Sequence, residues 1–219
     1  MRRLALVLLA ALLALVGMSG CTSTLITSSE QARSGTLPGL ASPPVIPYVS
    51  GRINLDPAQL APCHAGGDVR DGGELPDPHC TPGAVGETKV DRVCYAGRAG
   101  TFASLHRVDT TKARLVAMQA YGVRIEDSGV TEYDHRIPLS LGGANATSNL
   151  WPQRSDIAGA RPLYRNSKDA IEYTVWYAVC RSHTVSLAHA QRAFMGDWRQ
   201  ALQVLKLRPM KLPAGVAAD

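Results

Sequence analysis

Apolar positions recur at helical spacing in three stretches. Ala113, Val116, Ala117 and Ala120 mark one face of a helix over Thr110 to Tyr121, with Asp109 as its N-cap and Gly122 as its stop. Ile171, Val175 and Ala178, widened by Trp176 and Val179, predict a second helix over Arg165 to Arg181. Ala190, Phe194, Trp198, Ala201 and Leu205 form a single stripe that predicts a third over Ser186 to Leu205, capped by Ser186. Between the first two lie a β-type stretch from Thr131 to Leu139, a glycine-containing loop, and a return segment from Asn149 to Gln153. The succession predicts an α+β domain whose regular structure begins near Lys89.

The rest of the chain is patterned differently. Arg2 and Arg3 precede an unbroken apolar run from Leu4 to Val16, too short to span a bilayer comfortably, and small residues lead to Cys21. This resembles a bacterial lipoprotein signal over residues 1–20 with Cys21 as the lipidated residue. An ordinary secretory signal with an incidental cysteine is the alternative. Residues 21–48 are rich in Ser, Thr, Gly and Pro and read as a tether. Residues 49–86, with Gly66-Gly67, Gly72-Gly73 and Pro76-Asp77-Pro78, read as loops. Residues 87–207 form the expected domain and 208–219 a tail.

Export changes the meaning of the cysteines. Apart from Cys21 there are four, Cys63, Cys80, Cys94 and Cys180, and none forms a C-x-x-C pair, which argues against a zinc ribbon. Four cysteines allow three pairings. Cys63 with Cys80, closing a Gly/Pro-rich loop, and Cys94 with Cys180, tying the front of the domain to its late helix, is the preferred one. The composition, 45% hydrophobic and 19% charged, is that of a globular chain. Loss of Arg2 and Arg3 leaves 21 Lys and Arg against 18 Asp and Glu, about +3, which permits a local phosphate-binding patch without demonstrating one.

The candidate chemistry lies between Tyr133 and Gln153. Asp134 and His135 are adjacent, so on a strand they face opposite sides. A carboxylate there can hold a divalent cation while the imidazole, titrating near neutral pH, activates a water. Gly142-Gly143 permits a tight reversal, and Asn149 can tie the returning loop through backbone hydrogen bonds.

The run Asp134-His135-Arg136-Ile137-Pro138-Leu139-Ser140-Leu141-Gly142-Gly143, a gap from Ala144 to Ser148, then Asn149-Leu150-Trp151-Pro152-Gln153, resembles the HNH endonuclease family and its ββα-metal fold. It is similar in particular to small exported HNH proteins, from about Cys80 through the Lys112 to Gly122 region to Asp197-Trp198. The resemblance implies His135 as general base, Asn149 as the residue holding its loop, and Asp134 as a metal ligand. The third motif position, on the following helix, falls on Asn166 in Arg165-Asn166-Ser167-Lys168-Asp169, where relatives commonly carry His. Ser140 stands where relatives often have an acidic residue. An amide oxygen suits Mg²⁺, with Mn²⁺, Ni²⁺ or Zn²⁺ as alternatives.

The expected function is an exported, metal-dependent endonuclease of low sequence specificity acting on DNA, with RNA as a second substrate. Arg136, Arg154, Arg165 and Lys168 are candidate phosphate-binding residues, against the plainer reading of a solvated basic face. Tyr164 and Trp151 are candidates for stacking on bases, with packing residues as the preferred reading. Expected partners are nucleic acid and, through Cys21, the membrane of a bacterial envelope. The rivals are a catalytically degenerate envelope lipoprotein that keeps the scaffold for binding or structure, and a hydrolase of envelope material.

Overall fold

A computed structural model describes residues 41–55, 62–95 and 101–213. The signal segment, Cys21 and the first part of the tether lie outside the described residues. Helix and strand are mixed, in the order α1 (Val90–Cys94), α2 (Phe102–His106), α3 (Thr111–Ala120), β1 (Thr131–His135), β2 (Leu150–Arg154), α4 (Lys168–Cys180), α5 (Leu187–Met195) and α6 (Ala201–Val204). The α+β expectation holds at that level.

β1 and β2 pair antiparallel, with Glu132 opposite Gln153, Asp134 opposite Trp151 and His135 opposite Leu150. The extended stretch ends at His135 rather than Leu139, because Leu139–Leu141 curls into a 3-10 turn. Gly142 closes that turn at φ +81°. A Cβ on Gly143 would lie 1.8 Å from the carbonyl oxygen of Ile137, so the chain doubles back against itself where only glycine fits.

The helices follow the apolar stripes with adjusted ends. α3 has Thr110 at its N-cap position, and Asp109 Oδ1 accepts from Thr111 N at 2.9 Å. Gly122 follows its end at φ +65°, as expected. α4 begins at Lys168, so Arg165 and Asn166 precede it; Asn166 Oδ1 accepts from Lys168 N at 3.0 Å. The predicted third helix is broken. Ser186 caps α5 as expected, but the helix stops at Gly196, and the Asp197 side chain caps a new 3-10 turn before α6. The apolar stripe survives the break, since Phe194, Trp198, Ala201 and Leu205 are all buried in one core.

That core gathers Ile137, Leu139 and Leu141 from the turn after β1, Val175 and Val179 from α4, and Phe194 and Trp198. A smaller cluster packs Tyr133 and Leu150 of the hairpin on Ala117 of α3, and another packs Trp151 on Tyr121 beside Cys63 and Cys80. The hairpin is thereby covered on both faces. The Gly/Pro-rich region is loop-built, as expected, yet it belongs to the core. Cys63, Cys80, Thr81, Ala84 and Val85 are buried, and Trp198 donates its indole N–H to Glu74 O at 2.8 Å. Two disulfides form, Cys63–Cys80 and Cys94–Cys180, with Cα separations of 6.0 and 5.1 Å. Disulfides mark an oxidising compartment outside the cytoplasm. No helix among the described residues is long and apolar enough to cross a membrane.

Candidate active site

His135 ends β1 and lines a cleft of about 290 Å³ bounded by Arg107, Thr110, Arg114, Glu132, Tyr133, Asn145 and Tyr164. Its Nε2 lies 2.9 Å from Asn145 Oδ1. An amide oxygen only accepts, so Nε2 carries the proton and Nδ1 is the basic nitrogen. The amide orientation is set independently, because Asn145 Nδ2 donates to His106 O at 2.6 Å. Asn145 is a functional candidate that the motif resemblance did not assign. The signal for it was its place in the glycine loop.

Asn149 is fully buried and all its polar atoms are committed to the loop. Its Oδ1 accepts from Ile137 N at 3.0 Å and Ala84 N at 3.3 Å; its Nδ2 donates to Ile137 O and Ala144 O at 3.0 and 3.1 Å. One side chain thus pins both ends of the turn that follows His135.

Asp134 points the other way, toward α4. Its Oδ2 accepts from Lys168 Nζ at 2.8 Å. Lys168 also donates to His135 O at 2.7 Å and to Glu172, so its three N–H bonds are used. Burial alone would lower the Lys168 ammonium pKa; Asp134 and Glu172 outweigh it and hold the group above its ordinary value. Lys168 is therefore an internal counter-ion, with no N–H left for a phosphate, and its assignment to the substrate rim is corrected.

Two more of the expected phosphate ligands are also engaged elsewhere. Arg136 is half-buried and donates to Thr81 O at 2.6 Å and to Met195 O. Arg154 pairs with Glu74, Nε lying 3.1 and 3.2 Å from its two carboxylate oxygens, and lines a separate depression with Asp68, Asp127 and Ser155. Arg165 stands by the Asp134 face, its Nε 3.5 Å from Asp169 Oδ2. Trp151 is wholly buried packing, whereas Tyr164 is 41% exposed at the cleft wall.

Among the described residues, no three His, Cys, Asp or Glu side chains converge as a metal cage. The donors on the Asp134 face nonetheless suit a hard cation. Asn166 is buried, and its Nδ2 donates to Glu132 Oε2 at 3.2 Å, which joins it to the strand face that carries Asp134. Asp169 is buried and its Oδ2 accepts no hydrogen bond. Burial, then the charge of Asp134, pushes the Asp169 carboxyl up to about 7. Gln153, opposite Glu132, is fully buried with neither amide atom hydrogen-bonded. Asp169 Oδ2, held only by its 3.5 Å ion pair with Arg165, and Gln153 Oε1, which accepts no hydrogen bond, are buried oxygens of the kind a hard, oxygen-seeking cation satisfies. No protein-family model matches the chain, and neither a curated protein nor a solved structure is significantly similar to it.

Proposed function

We propose that the protein is an HNH-type endonuclease that hydrolyses phosphodiester bonds in DNA, exported and anchored to the envelope through Cys21. The observation that carries this reading is the setting of His135. Asn145 Oδ1 holds its Nε2 proton, which makes Nδ1 the base, and the ring opens into a cleft that also contains Arg107 and Arg114. His135 takes a proton from water at Nδ1. Asn149 fixes the turn behind it, and Asn145 fixes its tautomer.

A divalent cation of the Mg²⁺ type would be held by Asp134 and Asn166, with Asp169 adding a buried carboxylate oxygen; when bound it would neutralise charge on the phosphate and the departing oxygen. Lys168 holds the Asp134 carboxylate in place through its Nζ hydrogen bond. The cleavage proposed here has low sequence specificity.

One observation favours the rival. Lys168 already supplies positive charge to Asp134 at 2.8 Å, which is the arrangement of a scaffold that has replaced its cation by an ammonium. Nicking of supercoiled plasmid separates the two. The nuclease reading expects Mg²⁺- or Mn²⁺-dependent nicking that EDTA abolishes and that His135→Ala lowers by about 10²–10⁴. Absence of cleavage of both plasmid and single-stranded DNA with every divalent cation tried would leave the scaffold reading.

A further inference from the structure

We infer that the cleft in front of His135 is built to receive one turned-out nucleotide of a single strand, with its phosphate on Arg107 and Arg114 and its base on Tyr164. The inference rests on the nuclease reading and names its substrate more closely.

Three parts of the chain converge there: Arg107 between α2 and α3, Arg114 on α3, and Tyr164 ahead of α4, lining the cleft together with His135 and Glu132 of β1. These residues come from separate parts of the chain, and the motif contains only His135. Arg114 Nη2 donates to Ser128 O, so its guanidinium is held in place at the wall instead of waving in solvent. Arg107 is exposed and lines the same cleft. Two guanidinium groups lining one cleft suit a phosphate. Glu132 lines the same cleft and is bonded to Asn166 Nδ2. Its carboxylate repels a phosphate, which therefore settles on the arginine side.

Size and chemistry then choose the form of the nucleic acid. About 290 Å³ lies at the small end of ligand pockets, enough for roughly one nucleotide. A duplex keeps its bases inside the stack, so an exposed phenol ring at the wall has nothing to stack on. A single strand presents every base face, and stacking on an aromatic ring is worth a large, sequence-tolerant share of its binding.

The test is binding without cleavage. Fluorescence anisotropy of the mature protein in EDTA is measured with a labelled 12-nucleotide thymidine strand and with a duplex hairpin of equal length. Tighter binding of the strand by about tenfold or more is expected. Tyr164→Ala should weaken strand binding by roughly 5- to 150-fold, the range of one stacked base, while Tyr164→Phe keeps it. Arg107→Ala should weaken both probes and reduce the salt slope by about one. Equal or tighter duplex binding, or unchanged strand affinity in Tyr164→Ala, overturns the inference even when plasmid is nicked. A strand preference that depends on Tyr164, in a protein that with Mg²⁺ or Mn²⁺ cleaves neither plasmid nor that strand, upholds the cleft and overturns the nuclease reading instead.

Discussion

Lys168 Nζ lies 2.8 Å from Asp134 Oδ2, with both side chains buried, and this pair joins the first helical turn of α4 to the end of β1. Removing the ammonium would leave Asp134 and Glu172 buried without their cation. Lys168→Met should therefore cost about 3–5 kcal/mol of stability, the usual loss when one partner of a buried pair is removed. Urea unfolding followed by circular dichroism measures it. A residue of the phosphate rim would behave oppositely, with stability unchanged and nucleic-acid affinity reduced.

The donors around Asp134 lead to a prediction about cation choice. Carboxylate and amide oxygens favour Mg²⁺ and Mn²⁺, and an imidazole favours Co²⁺, Ni²⁺ and Zn²⁺. Asn166→His should shift preference toward the second group. Asp169→Asn should weaken every cation by about 10–100-fold, as loss of a supporting group at a metal site commonly does. Calorimetric titration of each ion into the protein reads both effects without any substrate. If both variants bind ions as the native protein does, neither residue belongs to the cation site.

The outline of the hairpin was legible because its signals are local. Asp134 and His135 alternate on a strand, Gly142-Gly143 permits the reversal, and Asn149 closes the turn. The end of α3 at Gly122 was legible for the same reason. The break at Gly196 was not, since the stripe from Ala190 to Leu205 keeps its helical period across it and one glycine in a helix is tolerated. The cations were misplaced for another reason. Proximity in sequence groups Arg136, Arg154 and Lys168 with the motif, yet each is engaged by a carbonyl or carboxylate away from the His135 cleft. The four-residue spacing of Lys168 and Glu172 was the readable sign of that pairing. Arg107 and Arg114 carry no local signal; packing brings them to His135 from another part of the chain.

Disulfide removal should affect the two bridges unequally. Cys94–Cys180 closes 86 residues and Cys63–Cys80 closes 17. Loop-closure entropy assigns them about 4.5 and about 3 kcal/mol respectively. Paired Cys→Ser variants compared by thermal melting should rank in that order, both below the native protein. A native melting temperature in the Cys94/Cys180 double variant would show that this bridge contributes nothing to stability.

Tyr121 makes stability sensitive to alkali. Its hydroxyl lies 2.7 Å from Thr81 Oγ1 and accepts from Asp77 N at 3.2 Å, inside the cluster that holds Cys63, Cys80 and Trp151. Burial pushes the phenol up to about 12, against the opposing pull of those two hydrogen bonds. In the unfolded chain it titrates near 10. The folded state therefore favours the protonated, neutral form. Its contribution is fully present below pH 10 and is lost as pH rises from about 10 to about 12, amounting to roughly 2–3 kcal/mol for two units. Urea midpoints across pH 8–12 should fall over that window. Tyr121→Phe should be less stable at pH 7 by about 1–3 kcal/mol, because Asp77 N and Thr81 Oγ1 lose a buried partner. The same variant should fall less steeply above pH 10, since the group that resists ionisation is gone. Parallel curves for the two proteins across that window would mean that Tyr121 ionises in the folded state as freely as in the unfolded chain.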